Sequence, residues 1–199
     1  MAYQHLLKVA AHALKDATHN FITEEKLEAV ENTIQTCSIL AAATGVGASL
    51  FPGGALVMSA ASVAAIWGMY VKINKDLGIS ISDNKLKSLA SAMLTNLIAG
   101  AGTYLAGIAA ALVIGFIPGL HTLAIPIQGM IAYIAVFASG VLYIKFLTKL
   151  FNAQGGFDVG NNDQMDSVLK DVIRDTNMKS LIDECKDSYK KDKKEGNIK

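Results

Sequence analysis

The chain has 199 residues, of which 52 % are hydrophobic and 18 % charged, with a mean hydropathy of +0.36. Soluble domains carry closer to a quarter charged residues, so the composition tilts towards an apolar environment. The 18 Lys and Arg against 17 Asp and Glu leave a net charge of +1 and form no basic stripe, which argues against a nucleic-acid binder.

The near-neutral total hides a segregation. Charges fall in three blocks, residues 8–31, 72–87 and 145–199, separated by uncharged runs over residues 32–71 and 88–144. The opening MAYQHLLKVAAHALKD does not read as a signal peptide, because Lys8 interrupts apolar residues that are spaced rather than contiguous. Leu6, Ala10, Ala13, Leu14 and Ala17 recur at helical steps and predict an amphipathic helix over residues 3–20. His5, His12 and His19 share one face of it. Successive members lie about 10.5 Å apart along the axis, too far to share a metal, so an exposed face is expected. Thr23 is placed to cap a second helix carrying Leu27, Val30, Ile34 and Ile39, which loses its charges after Glu31.

From there IQTCSILAAATGVGASLF runs to Pro52-Gly53-Gly54, and ALVMSAASVAAIWGMYVKI returns to Lys72. Prolines and glycines in this setting mark a turn between two helices. A polar linker follows, with Asp83 as an N-cap. A longer apolar helix over 89–117 then ends at Pro118-Gly119, and Thr122 caps the last apolar helix, which tolerates Pro126 near its first turn. That helix extends to about Phe151. Beyond it, NAQGGFDVGNND is a linker. Met165, Val168, Leu169, Val172 and Ile173 predict an amphipathic helix, continued by Leu181, Ile182 and Cys185. KDSYKKDKKEGNIK reads as a charged, frayed tail.

The expected fold class is therefore all-α: two apolar helical hairpins, inserted in a membrane, flanked by amphipathic helices. The organisation divides into N-terminal helices (1–35), a two-hairpin domain (36–151), and a linker, helix and tail (152–199). A spanning helix needs roughly 20 apolar residues. The arms at 89–117 and 123–144 qualify, whereas those at 36–51 and 55–71 are marginal and suit a thin span, a re-entrant loop or burial in protein. With both hairpins crossing and returning, all charged blocks share one side. Lys72, Lys75, Lys85 and Lys87 put that side, with both termini, in the cytoplasm, at the inner membrane if the source is bacterial.

Each return arm ends alike, with Tyr70 and Lys72 in the first and Tyr143 and Lys145 in the second, which suggests interfacial anchors. Small residues repeat at Ala60, Ala64 and Gly68, and again at Ser91, Thr95, Ala99, Gly102, Ala106 and Ala110. That spacing lets helix backbones approach closely, within the chain or between copies. Asn96 and Gln128 are the strongest uncharged polar groups in the runs and are candidates to line a pore. Cys37 and Cys185 make neither a CxxC motif nor a disulfide framework, and read as apolar filler and a free thiol.

No HExxH, Gly-x-Ser-x-Gly or Walker sequence is present, and residues 158–163 lack the late glutamate of a calcium loop. The chain reads as a non-enzyme without cofactor, metal or catalytic residues. Three roles fit: a membrane anchor or scaffold for a cytoplasmic partner, an oligomeric pore built by self-association in the bilayer, or a soluble helical adaptor whose central helices are buried.

A resemblance narrows these. Phe51-Pro52, Met69 to Ile73 leading to Leu77-Gly78, Ile81-Ser82 with Lys85-Leu86, Ile117-Pro118-Gly119, and Gly140 with Tyr143 and Phe146 occur in this order. In them the stretch 52–151, about half the chain, resembles an uncharacterised helical domain commonly fused behind Era-like GTPase domains. The resemblance implies a membrane-associated module working beside a GTPase, and it brings no catalytic residues. The chain departs from that pattern in lacking an acidic residue soon after the first proline and in lacking a GTPase domain.

Overall fold

A computed structural model describes residues 5–19, 21–48, 54–100, 121–158 and 162–198. Among them are seven helices and no strand: α1 (His5–Ala17), α2 (Glu24–Ala48), α3 (Gly54–Leu77), α4 (Asp83–Gly100), α5 (His121–Gln154), α6 (Asn162–Arg174) and α7 (Met178–Lys194). The all-α expectation holds. Two apolar membrane hairpins are not established: the turn residues Pro52, Gly53, Pro118 and Gly119 lie outside the described residues. Gly54 opens α3.

Among the described residues one helix is long and apolar enough to cross a membrane, over Gly129–Gln154, and 78 % of its apolar window is buried inside the protein. Its environment explains its composition. α5 packs against all six other helices, so it is apolar on every side, as a helix enclosed by neighbours must be. Tyr133, Phe137, Val141, Leu142, Tyr143 and Phe146 are fully buried along it.

Cross-helix contacts fix the directions. Lys26 Nζ near the start of α2 donates to the Leu77 carbonyl at the end of α3 (3.3 Å), so α2 and α3 run antiparallel. Tyr70 of α3 meets Ser139 of α5, and Asn74 meets Tyr143 one turn further along both, so α3 and α5 run parallel. Lys145 and Lys149 of α5 reach Thr176 and Asp175 beyond the end of α6. The charged ends of α2 to α5 thus gather at one end of the bundle, with α1, α6 and α7 packed around α5. α2 runs unbroken across residue 35, and α5 touches helices from all three expected parts of the chain.

Local signals place the helix ends. Leu77 is followed by Gly78 at φ 74°, whose successor Ile79 donates its N–H to the Asn74 carbonyl (2.8 Å), and Gly196 at φ 78° ends α7 in the same way. Asn177 accepts from Ser180 N (3.1 Å) and caps α7 at its start.

The C-terminal stretch departs from its expected frayed state. Residues up to Lys194 are helical, and Cys185, Ser188, Tyr189 and Asp192 form a buried stripe against α5. Steps of three and four residues put them on one face. The lysines between them hide this, because they supply only the outer face.

Candidate functional site

The most elaborate polar arrangement in the interior is centred on Asp192, which is only 1 % exposed. Its carboxylate accepts from the Tyr133 hydroxyl (2.6 Å), from Gln35 Nε2 (2.9 Å) and from Asn197 Nδ2 (3.2 Å). α2, α5 and α7 therefore converge on one acidic side chain. Tyr133 also stacks on Phe137 and meets Tyr189 edge-on. A buried polar group is tolerated only when its hydrogen-bonding capacity is met. Two of the donors, Gln35 and Tyr133, arrive from helices remote in sequence, so the cluster locks the register of α2, α5 and α7.

A second polar seam joins α3 to α5. Tyr70 and Tyr143 stack with centroids 4.0 Å apart, Tyr70 donates to the Ser139 carbonyl (3.1 Å), and Tyr143 donates to Asn74 Oδ1 (2.5 Å). Both rings are fully buried, so these tyrosines sit in the protein core rather than at an aqueous surface as anchors would. Their likeness in the sequence reflects a matched stacking pair. The accompanying lysines differ from each other. Lys72 is exposed and pairs with Asp76 (2.8 Å), whereas Lys145 is half-buried and donates to Thr176 Oγ1 (3.1 Å).

The terminal helices are tied together. Glu184 Oε1 of α7 accepts from the Leu6 backbone N–H (2.8 Å), one of the donors that the first turn of α1 cannot satisfy internally. Glu184→Ala is expected to cost about 1 kcal/mol and to speed amide exchange in the first turn of α1 more than elsewhere. Lys15 binds Glu24 across the α1–α2 turn, and Lys149 binds Asp175 (2.6 Å), which holds the Asp175 carboxyl below its ordinary range. Burial pushes the Cys185 thiol upward, in keeping with inert filler.

Burial likewise raises Glu31 above its ordinary 4.5, against the opposing charges of Lys8 and His12. The native state then binds this proton more tightly than the unfolded chain. Its contribution to stability falls as pH rises through 4.5 towards the raised value. Glu31→Gln is expected to raise the melting temperature near neutral pH and to lose that advantage below pH 4.5, as melting curves across that range would show.

Asn96 faces a groove of about 440 Å³ between α4 and α6, lined also by Ser88, Ser91, Thr95, Asp166 and Lys170. Its Nδ2 donates to the Ala92 carbonyl (2.8 Å), so its placement is on an outer groove of the bundle. Ser91 and Thr95 are exposed beside it, and Ala64 and Gly68 are exposed on α3. A Cβ added to Gly68 meets nothing within 4 Å. Ala60, Ala99 and Gln128 belong to α3, α4 and α5 but lie outside the described side chains, and Gly102, Ala106 and Ala110 lie outside the described residues altogether.

His5, His12 and His19 are all exposed. Among the described residues no group of three His, Cys, Asp or Glu side chains is placed to hold a metal. Sequence reasoning missed the Asp192 cluster, whose available signal was the three- and four-residue spacing of Leu181, Cys185, Ser188 and Asp192. In comparisons with protein-family models, curated proteins and solved structures, none matches the chain.

Proposed function

We propose that the chain is a non-enzymatic membrane-inserted helical bundle, whose charged end forms a rigid cytoplasmic base that holds a protein partner. The observation that carries this reading is the division of polar groups along the bundle. The described base has a core of soluble type, knit by buried hydrogen bonds around Asp192 and Tyr143. The sequence beyond it, residues 45–62 and 98–128, contains no Asp, Glu, Lys or Arg. Such segments find their lowest free energy out of water.

The arms of the first hairpin, residues 36–51 and 55–71, are shorter than the roughly 20 apolar residues a span needs, which favours shallow entry into the bilayer over a full crossing. The second hairpin has the longer uncharged stretch and reaches further. Leu7, Ala10, Ala11 and Leu14 of α1 and Leu181, Ile182 and Cys185 of α7 are buried in the chain's own core, and the α4–α6 groove is a surface open to a partner. The resemblance to a domain fused to Era-like GTPases makes a GTPase the partner class this reading favours.

The competing reading, a soluble helical adaptor, draws on the burial of 78 % of the apolar window of α5. Alkaline carbonate separates the two. The expected result is retention in the membrane pellet; release into the supernatant would show that residues 45–62 and 98–128 are covered by protein, and the anchor reading would fall.

A further inference from the structure

The C-terminal stretch looks electrically balanced in the sequence, since residues 183–195 hold five lysines and five acidic residues. The fold unbalances it. Asp192 is turned into the core beneath Tyr133 and Gln35, and Glu184 is engaged by the first turn of α1. Lys190, Lys191, Lys193 and Lys194 remain exposed on the last turns of α7. Two of them have weak acidic company, Asp187 at 3.3 Å from Lys190 and Glu195 at 3.9 Å from Lys191. Lys193 and Lys194 make no ion pair among the described residues. The lysines also border the level at which the surface loses its charge. Gln35 and Tyr133 mark the height of Asp192 on α2 and α5. Onward along α2 the exposed residues are Thr36, Leu40 (61 % exposed), Ala43 and Thr44, followed by the uncharged residues 45–62.

We propose that Lys190, Lys191, Lys193 and Lys194 form a collar that binds the phosphates of anionic lipid headgroups as the uncharged end of the bundle enters the bilayer. The proposal rests on the insertion reading above and adds a lipid class to it. Long lysine side chains reach headgroups while their helix stays in water, and each lysine near an anionic surface strengthens attachment severalfold. The burial of Asp192 gives the collar its orientation, because it fixes which face of α7 turns outwards.

The test is cell-free synthesis of the full chain with vesicles of phosphatidylcholine alone or mixed with phosphatidylglycerol, followed by flotation across a lipid titration. The chain is expected to float at lower lipid concentration with the anionic vesicles. Changing all four lysines to Gln should weaken that attachment about a hundredfold or more, while changing all four to Arg should preserve it. The four positions are exposed, and unchanged circular-dichroism melting confirms that the variants fold. Flotation that ignores both lipid charge and the Gln changes would overturn the collar while leaving insertion standing. Absence of flotation with either vesicle would overturn insertion, and the collar with it.

Discussion

Asp192→Ala is expected to destabilise the bundle by about 3 kcal/mol, because it strands the Tyr133 hydroxyl and removes the acceptor for Gln35 and Asn197. A buried donor that loses its partner costs about 1–3 kcal/mol, whereas a partly exposed one recovers water. Tyr133 is fully buried, so most of the loss arises there. For a chain of this length the melting temperature should drop by about 6–12 °C. Tyr133→Phe should cost about half as much, since Asp192 keeps its two remaining donors. The double variant should be less damaging than the sum by about 1 kcal/mol, because the two groups act on each other. Circular-dichroism melting in mild detergent, with tryptic cleavage within α7 as a local readout, checks all three. A melting temperature for Asp192→Ala within about 2 °C of the parent would mean that Asp192 does not hold α7 in place.

How much of this was legible in the sequence depends on whether a signal was local. Helix positions were, because apolar spacing and punctuation by Pro, Gly and capping residues act over a few residues. Asp83 stands in the first turn of α4, and the strongly periodic stripes of α1 and α6 lie where the pattern put them, whereas α3 runs on to Leu77, past Lys72 where its apolar arm was expected to end. What covers each helix was not legible. An all-round apolar helix suits lipid and a protein core equally well, so residues 123–144 read as a span although Tyr133 to Ile144 are enclosed by neighbouring helices. The same ambiguity made Tyr70 and Tyr143 look like interfacial residues. Only the pairing of α3 with α5 reveals that they stack on each other. Asp192 was hidden for a related reason: its partners lie 157 and 59 residues away, and no local pattern announces a contact of that range.

Among the described glycines, Gly140 is the one where packing leaves the least room. A Cβ built there would sit 2.8 Å from both Cγ1 and Cγ2 of Ile34 and 3.0 Å from its Cδ1, at the crossing of α2 and α5. Real Cβ atoms do not approach that closely, so α2 must move or Ile34 must leave its rotamer. The branch point of Ile34 is fixed to the α2 backbone and cannot swing aside as the end of a long chain would. Gly140→Ala is therefore expected to cost about 1–3 kcal/mol through overpacking, although alanine is otherwise the better helix former by about 1 kcal/mol. Ile34→Ala alone should cost about 2–5 kcal/mol through the cavity it opens. Combining the two places a methyl group from α5 into the space Ile34 vacates, so the double variant should be at least about 1 kcal/mol more stable than the sum of the single losses. Melting of the four proteins under one condition measures that coupling. A Gly140→Ala protein as stable as the parent, or losses that simply add, would show that α2 and α5 do not meet at this point. The close crossing that brings Gln35 within reach of Asp192 would then have to be redrawn.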